Sequence, residues 1–281
     1  MKKLNCSLSA EKKMGFQHGR ARAERGKMLT KDFAICIRAT DFSETSQIVT
    51  FFTRATGKIK AIAKGSKRPK SAFDGAIEVF SHGKIVFADS TKEKLATLTE
   101  FEQELGLTHL SENLFAFNCC LLATELLSNL TNDYDPHTDL FDSFLEFLQN
   151  TNERQATRIE NRETLVLLIL FQLALLKEVG LQPILSHCVN CKTKHERRET
   201  RNEVYFSSSV NGLVCRDCEG NFPDRIKLGT DAAACLTNLK MLAKSNETTL
   251  NEVEKILIHH FTNTLGRPPK MAKYILENQK P

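Results

Sequence analysis

Nothing in this 281-residue chain approaches the roughly 18 consecutive apolar residues of a membrane helix. The amino terminus has lysines but no apolar stretch behind them, so it does not read as a secretory signal. The nine cysteines are odd in number and spread through a long chain, which argues against a disulfide framework and for a reducing cytoplasm. No segment fits G-x-x-x-x-G-K-[ST], and Gly65-Ser66-Lys67 is only a partial echo, which excludes a nucleotide site of the P-loop kind. A nucleotidyl-lysine site of the K-x-D-G kind needs lysine two residues before Asp74, where Ala72 stands. No Ser-His-Asp or Cys-His set is apparent. His259-His260 has no acidic partner one helical turn on, and Asp41 with Glu44 is two carboxylates in a turn. These absences point away from an enzyme.

Two C-x-x-C pairs are present, Cys188-Val189-Asn190-Cys191 and Cys215-Arg216-Asp217-Cys218. Each pair sets two thiolates on one side of a tight turn, and four such ligands fit a tetrahedral Zn²⁺. Thiolates are soft and select zinc over magnesium or calcium. The interval between the pairs is longer than in the common zinc ribbon, so an additional strand is expected inside it. Four cysteines close the coordination shell, which reads as a structural rather than a catalytic metal. His187 and His195 flank the first pair and are alternative ligands. Lys192, Lys194, Arg197, Arg198, Arg201 and Arg216 surround the site and offset its negative charge, although a solvated loop accounts for most of that run.

The net charge of +5 is unevenly placed. Residues 1–28 carry eight basic and two acidic side chains and no sustained apolar period, the composition of a disordered basic tail. The remainder is close to neutral, so bulk basicity says nothing about nucleic acid. A local cluster does. Between Thr45 and Phe73 lie Arg54, Lys58, Lys60, Lys64, Lys67, Arg68 and Lys70 with no acidic residue. Unbalanced cations of this kind suit a phosphate backbone. Phe51, Phe52 and Phe73 are candidate base-stacking platforms, with the core as their competing use.

Strand-like alternation occupies the first third: Phe33 to Arg38, Ile48 to Thr53, Lys58 to Lys64, Glu78 to Ala88 and Ala96 to Gln103. Five short strands without a long helix between them suggest a small barrel of the OB type over 29–107. Helical spacing then takes over, with 108–281 reading as a helical domain: Leu114 to Leu130, a helix after Asp135-Pro136, Arg162 to Gly180, Thr230 to Leu242, Leu250 to Leu265 and Pro268 to Leu276. Leu165 to Leu176 is apolar on every side except Gln172, as in the buried centre of a bundle. Phe141, Phe144 and Phe147 belong in that core. The zinc module sits at about 184–224, inserted before the last helices. The expected fold is multidomain α+β: an N-terminal OB-fold β-barrel, then an α-helical domain with an inserted four-cysteine zinc module.

In these motifs the chain resembles the bacterial RecO family of recombination mediators. The resemblance runs through Ala34-Ile35-Cys36-Ile37-Arg38, Asp41-Phe42-Ser43-Glu44, Gly57-Lys58 and Ala63-Lys64-Gly65-Ser66-Lys67-Arg68-Pro69-Lys70-Ser71. It continues through the two cysteine pairs, Phe206-Ser207, Gly212 and Leu265-Gly266-Arg267-Pro268. It implies a DNA repair protein that binds single- and double-stranded DNA and anneals complementary strands. It further implies help in loading recombinase onto strands coated by single-strand-binding protein, with RecR as a partner and a nucleoid-associated cytoplasmic location. No nucleotide and no membrane are implied. The family pattern departs at Pro269-Lys270-Met271, where leucine-lysine-serine is usual, and bears on whatever that loop contacts. A zinc-containing adaptor without DNA binding and a zinc-dependent nucleic-acid enzyme are the competing readings.

Overall fold

The structure is a computed structural model that describes residues 28–69, 71–73, 75–89, 95–104, 106–156, 161–194 and 203–277. Residues 1–27 of the basic tail, Lys70, His195, Arg197, Arg198 and Arg201 therefore lie outside the described residues. Five strands, β1 (Leu29–Asp41), β2 (Gln47–Thr53), β3 (Gly57–Ala63), β4 (His82–Ala88) and β5 (Ala96–Gln103), close into a barrel in the order β1-β2-β3-β5-β4. All neighbours are antiparallel except β3 and β5. This is the OB-like arrangement, and closure leaves it no open edge.

The pleat sends alternate side chains in and out. Ala34, Cys36, Val49, Phe51, Ile59, Ala61, Ala63, Ile85, Phe87, Leu98 and Phe101 fill the interior. Small residues on β3 leave room for Phe51 and Phe101, which meet edge to face at 5.4 Å. The fourth strand begins at His82 rather than Glu78. Phe80 sits at φ 73, and a bond from the Ser81 amide to the Glu78 carbonyl makes the preceding residues a turn.

The barrel's outer face is also partly buried. Ile35, Ile37 and Phe52 belong to the core of the helical region, and Phe33 and Phe52 stand 6.0 and 5.9 Å from Phe141. That region comprises α1 (Leu114–Leu130), α2 (Thr138–Ala156), α3 (Asn161–Glu178), α4 (Thr230–Thr237), α5 (Glu247–Leu265) and α6 (Ala272–Glu277). The helix expected to run to Leu242 instead stops at Thr237. Asn238 breaks it and caps a 3-10 turn over Leu239–Lys244. α3 is the buried centre, and its Gln172 amide donates to the Glu254 carboxyl of α5 at 2.8 Å. Phe141, Phe144 and Phe147 are in the core.

Polar contacts fix the barrel on the helices. Tyr134 N–H donates to the Lys58 carbonyl at 3.0 Å. Gly57 has φ 83, and a Cβ there would fall 2.3 Å from the Asp135 carbonyl oxygen, so only glycine fits. Within the helical region, the Glu125 carboxylate of α1 accepts the Lys270 and Met271 amides, each at 2.8 Å. On the loop's side these two hydrogen bonds use backbone amides, while the Met271 side chain packs against the helical core.

Between α3 and α4 lies a three-stranded sheet, ordered β7-β6-β8, of β6 (Val204–Ser207), β7 (Gly212–Cys215) and β8 (Ile226–Leu228). β6 is the additional strand within the long interval between the cysteine pairs. Val204, Phe206, Leu213 and Leu228 join the helical core, and Phe206 meets His260 of α5 edge to face at 5.3 Å. His260 is a packed residue there, and burial lowers its pKa. Among the described residues no helix is long and apolar enough to cross a membrane.

Candidate metal centre and nucleic-acid interface

The segment 184–194 runs beside β7. Ile184 and Val189 exchange backbone hydrogen bonds with Asn211 and Leu213. It then folds into a knuckle. Lys192 N–H donates to the Cys188 carbonyl, Cys188 N–H donates to the Thr193 carbonyl, and Lys192 adopts φ 63 to complete the turn. A second knuckle follows β7, where Cys218 N–H donates to the Cys215 carbonyl. The two turns bring the sulfurs of Cys188, Cys191, Cys215 and Cys218 within 4.8 Å of one another. The Cys191 and Cys215 sulfurs are 3.6 Å apart, close to the ~3.8 Å edge of a tetrahedron with 2.3 Å metal–sulfur bonds. Asn190 donates to the Cys218 sulfur at 3.2 Å, a supporting hydrogen bond from outside the quartet.

Two of the thiols are pushed in opposite directions. The Thr193 hydroxyl and amide bring Cys191 down to about 6, while burial pushes Cys215 up to about 12. A bound cation would supply the charge that holds all four as thiolates. The quartet can therefore hold one metal ion in a closed shell. His187 is engaged elsewhere: its ring pairs with the Ser186 hydroxyl at 2.9 Å.

The basic cluster is divided by the fold. Arg54 makes a two-pronged pair with Asp142 of α2, at 2.8 and 2.7 Å, which ties barrel to helix. Lys58 is buried, and its ammonium donates to the Ser128 and Thr131 carbonyls at the end of α1, each at 2.7 Å, with Asp133 at 3.6 Å. Its donors are taken by a helix terminus whose dipole favours a cation. The outward lysine stripe read from alternation is thus narrower than expected. Lys60, Lys64 and Arg68 are exposed and have no side-chain partner among the described residues; Lys67 is exposed and pairs with Asp41 at 2.7 Å. Phe51, Phe52 and Phe73 are 0%, 0% and 3% exposed, so they are core residues rather than stacking platforms.

One cation escaped the sequence reading. Alternation groups Arg38 with Ala34 and Cys36, which point inward. A bulge between Cys36 and Arg38 shifts the register, so that Arg38 pairs with Thr50 instead of Val49. Arg38 thereby turns outward, exposed and without a partner among the described residues. Thr50 also pairs with Lys60 on β3. Arg38, Thr50 and Lys60 form one row across β1, β2 and β3, with the two cations about 10 Å apart across two strand spacings. The residue type was the available signal, because an unpaired arginine inside a small barrel costs too much to be tolerated.

Fold and site together define an OB-barrel protein with a basic outer face, docked on a helical domain that carries a four-cysteine cluster able to hold a metal ion. Family models agree over most of the length: recombination protein O N terminal matches residues 28–104 and recombination protein O C terminal matches residues 111–273. The chain belongs to the recombination protein O family. It is similar to the DNA repair protein RecO of Bacillus pumilus, 29% identical over 255 residues that cover 88% of this chain and 94% of the relative. It is 32% identical to that of Bacillus subtilis over 209 residues, 74% of this chain and 76% of the relative. With that of Rhodopirellula baltica it shares 30% identity over 240 residues, 85% and 82% of the two chains.

Proposed function

We propose that this protein is a non-catalytic mediator of DNA repair and recombination. It binds single- and double-stranded DNA on the outer face of β1–β3, anneals complementary strands, and assists recombinase loading onto strands coated by single-strand-binding protein, with RecR. The observation that carries the reading is the row of Arg38 and Lys60, continued by Lys64, Lys67 and Arg68, on the exposed face of the barrel in a member of this family. Arg38, Lys60, Lys64 and Arg68, which have no side-chain partner among the described residues, release counterions when they meet phosphate, and their charge screens two strands enough for bases to pair. The work is done by binding, so no nucleotide is consumed. The metal is one Zn²⁺, and it holds the inserted module against α5 rather than taking part in DNA chemistry. The protein acts in the cytoplasm, at the nucleoid.

Annealing of complementary strands coated by single-strand-binding protein tests this. The wild type should anneal them without nucleotide, and the Arg38→Ala/Lys60→Ala/Lys64→Ala variant should not. A folded, metal-loaded wild type that fails to anneal or bind DNA overturns the reading.

A further inference from the structure

Among its described residues the barrel exposes one large aromatic side chain, at the end of its basic face. Phe42 is 61% exposed at the start of the β1–β2 turn and belongs to no core cluster. Leaving a phenylalanine in water forgoes what its burial would contribute, so the fold gains nothing from it there. The turn is nonetheless well fixed. Phe42 and Ser43 amides donate to the Ser46 carbonyl at 2.9 and 3.2 Å, and Lys67 N–H donates to the Thr45 carbonyl at 3.1 Å. Gly65 N–H donates to the Ser46 hydroxyl at 3.3 Å, and the Lys67 ammonium pairs with Asp41. Two loops, 41–46 and 64–68, are thus joined, which sets Phe42 beside the loop that carries Lys64, Lys67 and Arg68.

Parity places Phe42 with the basic row. After the bulge, Arg38 and Thr40 face outward, since their partners Thr50 and Ile48 alternate with the inward Val49 and Phe51. Phe42 is the next member of that series at the strand's end. The outer face therefore runs from Arg38 and Lys60, across half-buried Ile48 and Ile62, to Phe42 and Lys64. Glu44 is exposed on the same turn without a cation among the described residues.

We propose that Phe42 is the stacking platform of this interface: a base of single-stranded DNA lies on its ring while the adjoining phosphates run along Lys64, Lys67 and Arg68. A cationic track with an aromatic ring beside it is the arrangement that binds single strands irrespective of sequence, because every base has a π-face. Duplex DNA offers no free base to the ring, so Phe42 favours single strands while the cations serve both.

The inference rests on the DNA-binding reading, and the test separates the two. The chain contains no tryptophan, so Phe42→Trp in the full-length protein introduces a single fluorescent reporter. With a dT20 oligonucleotide, Phe42→Trp should bind like the wild type and its fluorescence should be quenched. Phe42→Ala should bind dT20 about tenfold more weakly, with an unchanged salt slope, unchanged duplex affinity and unchanged melting temperature. Salt-dependent binding with no quenching and no loss in Phe42→Ala overturns the role of Phe42 and leaves the DNA reading standing. No binding of dT20 by the wild type overturns both.

Discussion

Lys58 and Lys60 lie two residues apart on one strand of one barrel, and replacing each should have opposite consequences. The Lys58 ammonium is 2.7 Å from two carbonyls that end α1 and near Asp133, on a side chain only 11% exposed. Hydrogen bonds from a charged donor are each worth about 1.5–3 kcal/mol net, and a cation at a partly buried helix terminus up to ~2 kcal/mol. The cost of removing the ammonium from water opposes these gains. Lys58→Met keeps the apolar stem and removes the charge, leaving two carbonyls with one bond fewer in a closed interface. We expect it to lose about 2–4 kcal/mol of stability in urea unfolding, with the denaturant slope unchanged. Lys60 is exposed and has no side-chain partner among the described residues, so Lys60→Ala should fall within about 0.5 kcal/mol of the wild type. In single-strand binding the order reverses. Lys60→Ala should reduce the magnitude of the log–log salt slope by about 0.7, and Lys58→Met should leave it alone. A Lys58→Met protein as stable as the wild type, with its salt slope reduced as in Lys60→Ala, would refute the assignment of Lys58 to the barrel–helix joint.

Cys218→Ser should cut bound zinc from one ion per chain to near none by metal analysis, and expose the module to protease while the barrel still binds DNA; full metal content would contradict the four-cysteine shell. Glu254 is fully buried, and desolvation raises its pKa to about 7, with the Gln172 hydrogen bond opposing. A raised carboxyl pKa stabilises the protein below the unfolded value and loses that contribution as pH rises through about 7. The wild type should therefore shed about 3 kcal/mol, in order of magnitude, between pH ~4.5 and ~7 relative to Glu254→Gln. Parallel stability curves for the two proteins across that window would contradict this.

Much of the architecture was legible because it rests on periodicity. The period-2 runs located the five strands, and the apolar run from Leu165 to Leu176 identified the central helix. The four cysteines were legible because metal chemistry demands spacing as well as residue type. The division of the basic cluster was not. Lys58 and Lys60 are identical in type and parity, and only the position of α1 separates a helix-capping lysine from a free one. Phe52 alternates like a barrel residue yet faces Phe141, since this barrel is buried on both sides along β1 and β2. Arg38 was concealed by a single bulge, which changes the face of every later residue in the strand and has no marker such as glycine in the sequence. Phe42 was legible as part of a turn but not as an exposed ring.

The most direct measurement is the salt dependence of single-strand binding by the wild type and by Arg38→Ala/Lys60→Ala/Lys64→Ala. Five cations on the face give a log–log slope of about −3 to −4 for the wild type, and the two that remain give about −1 to −2 for the variant. A variant whose slope and affinity match the wild type would place the DNA on some other surface and contradict the account.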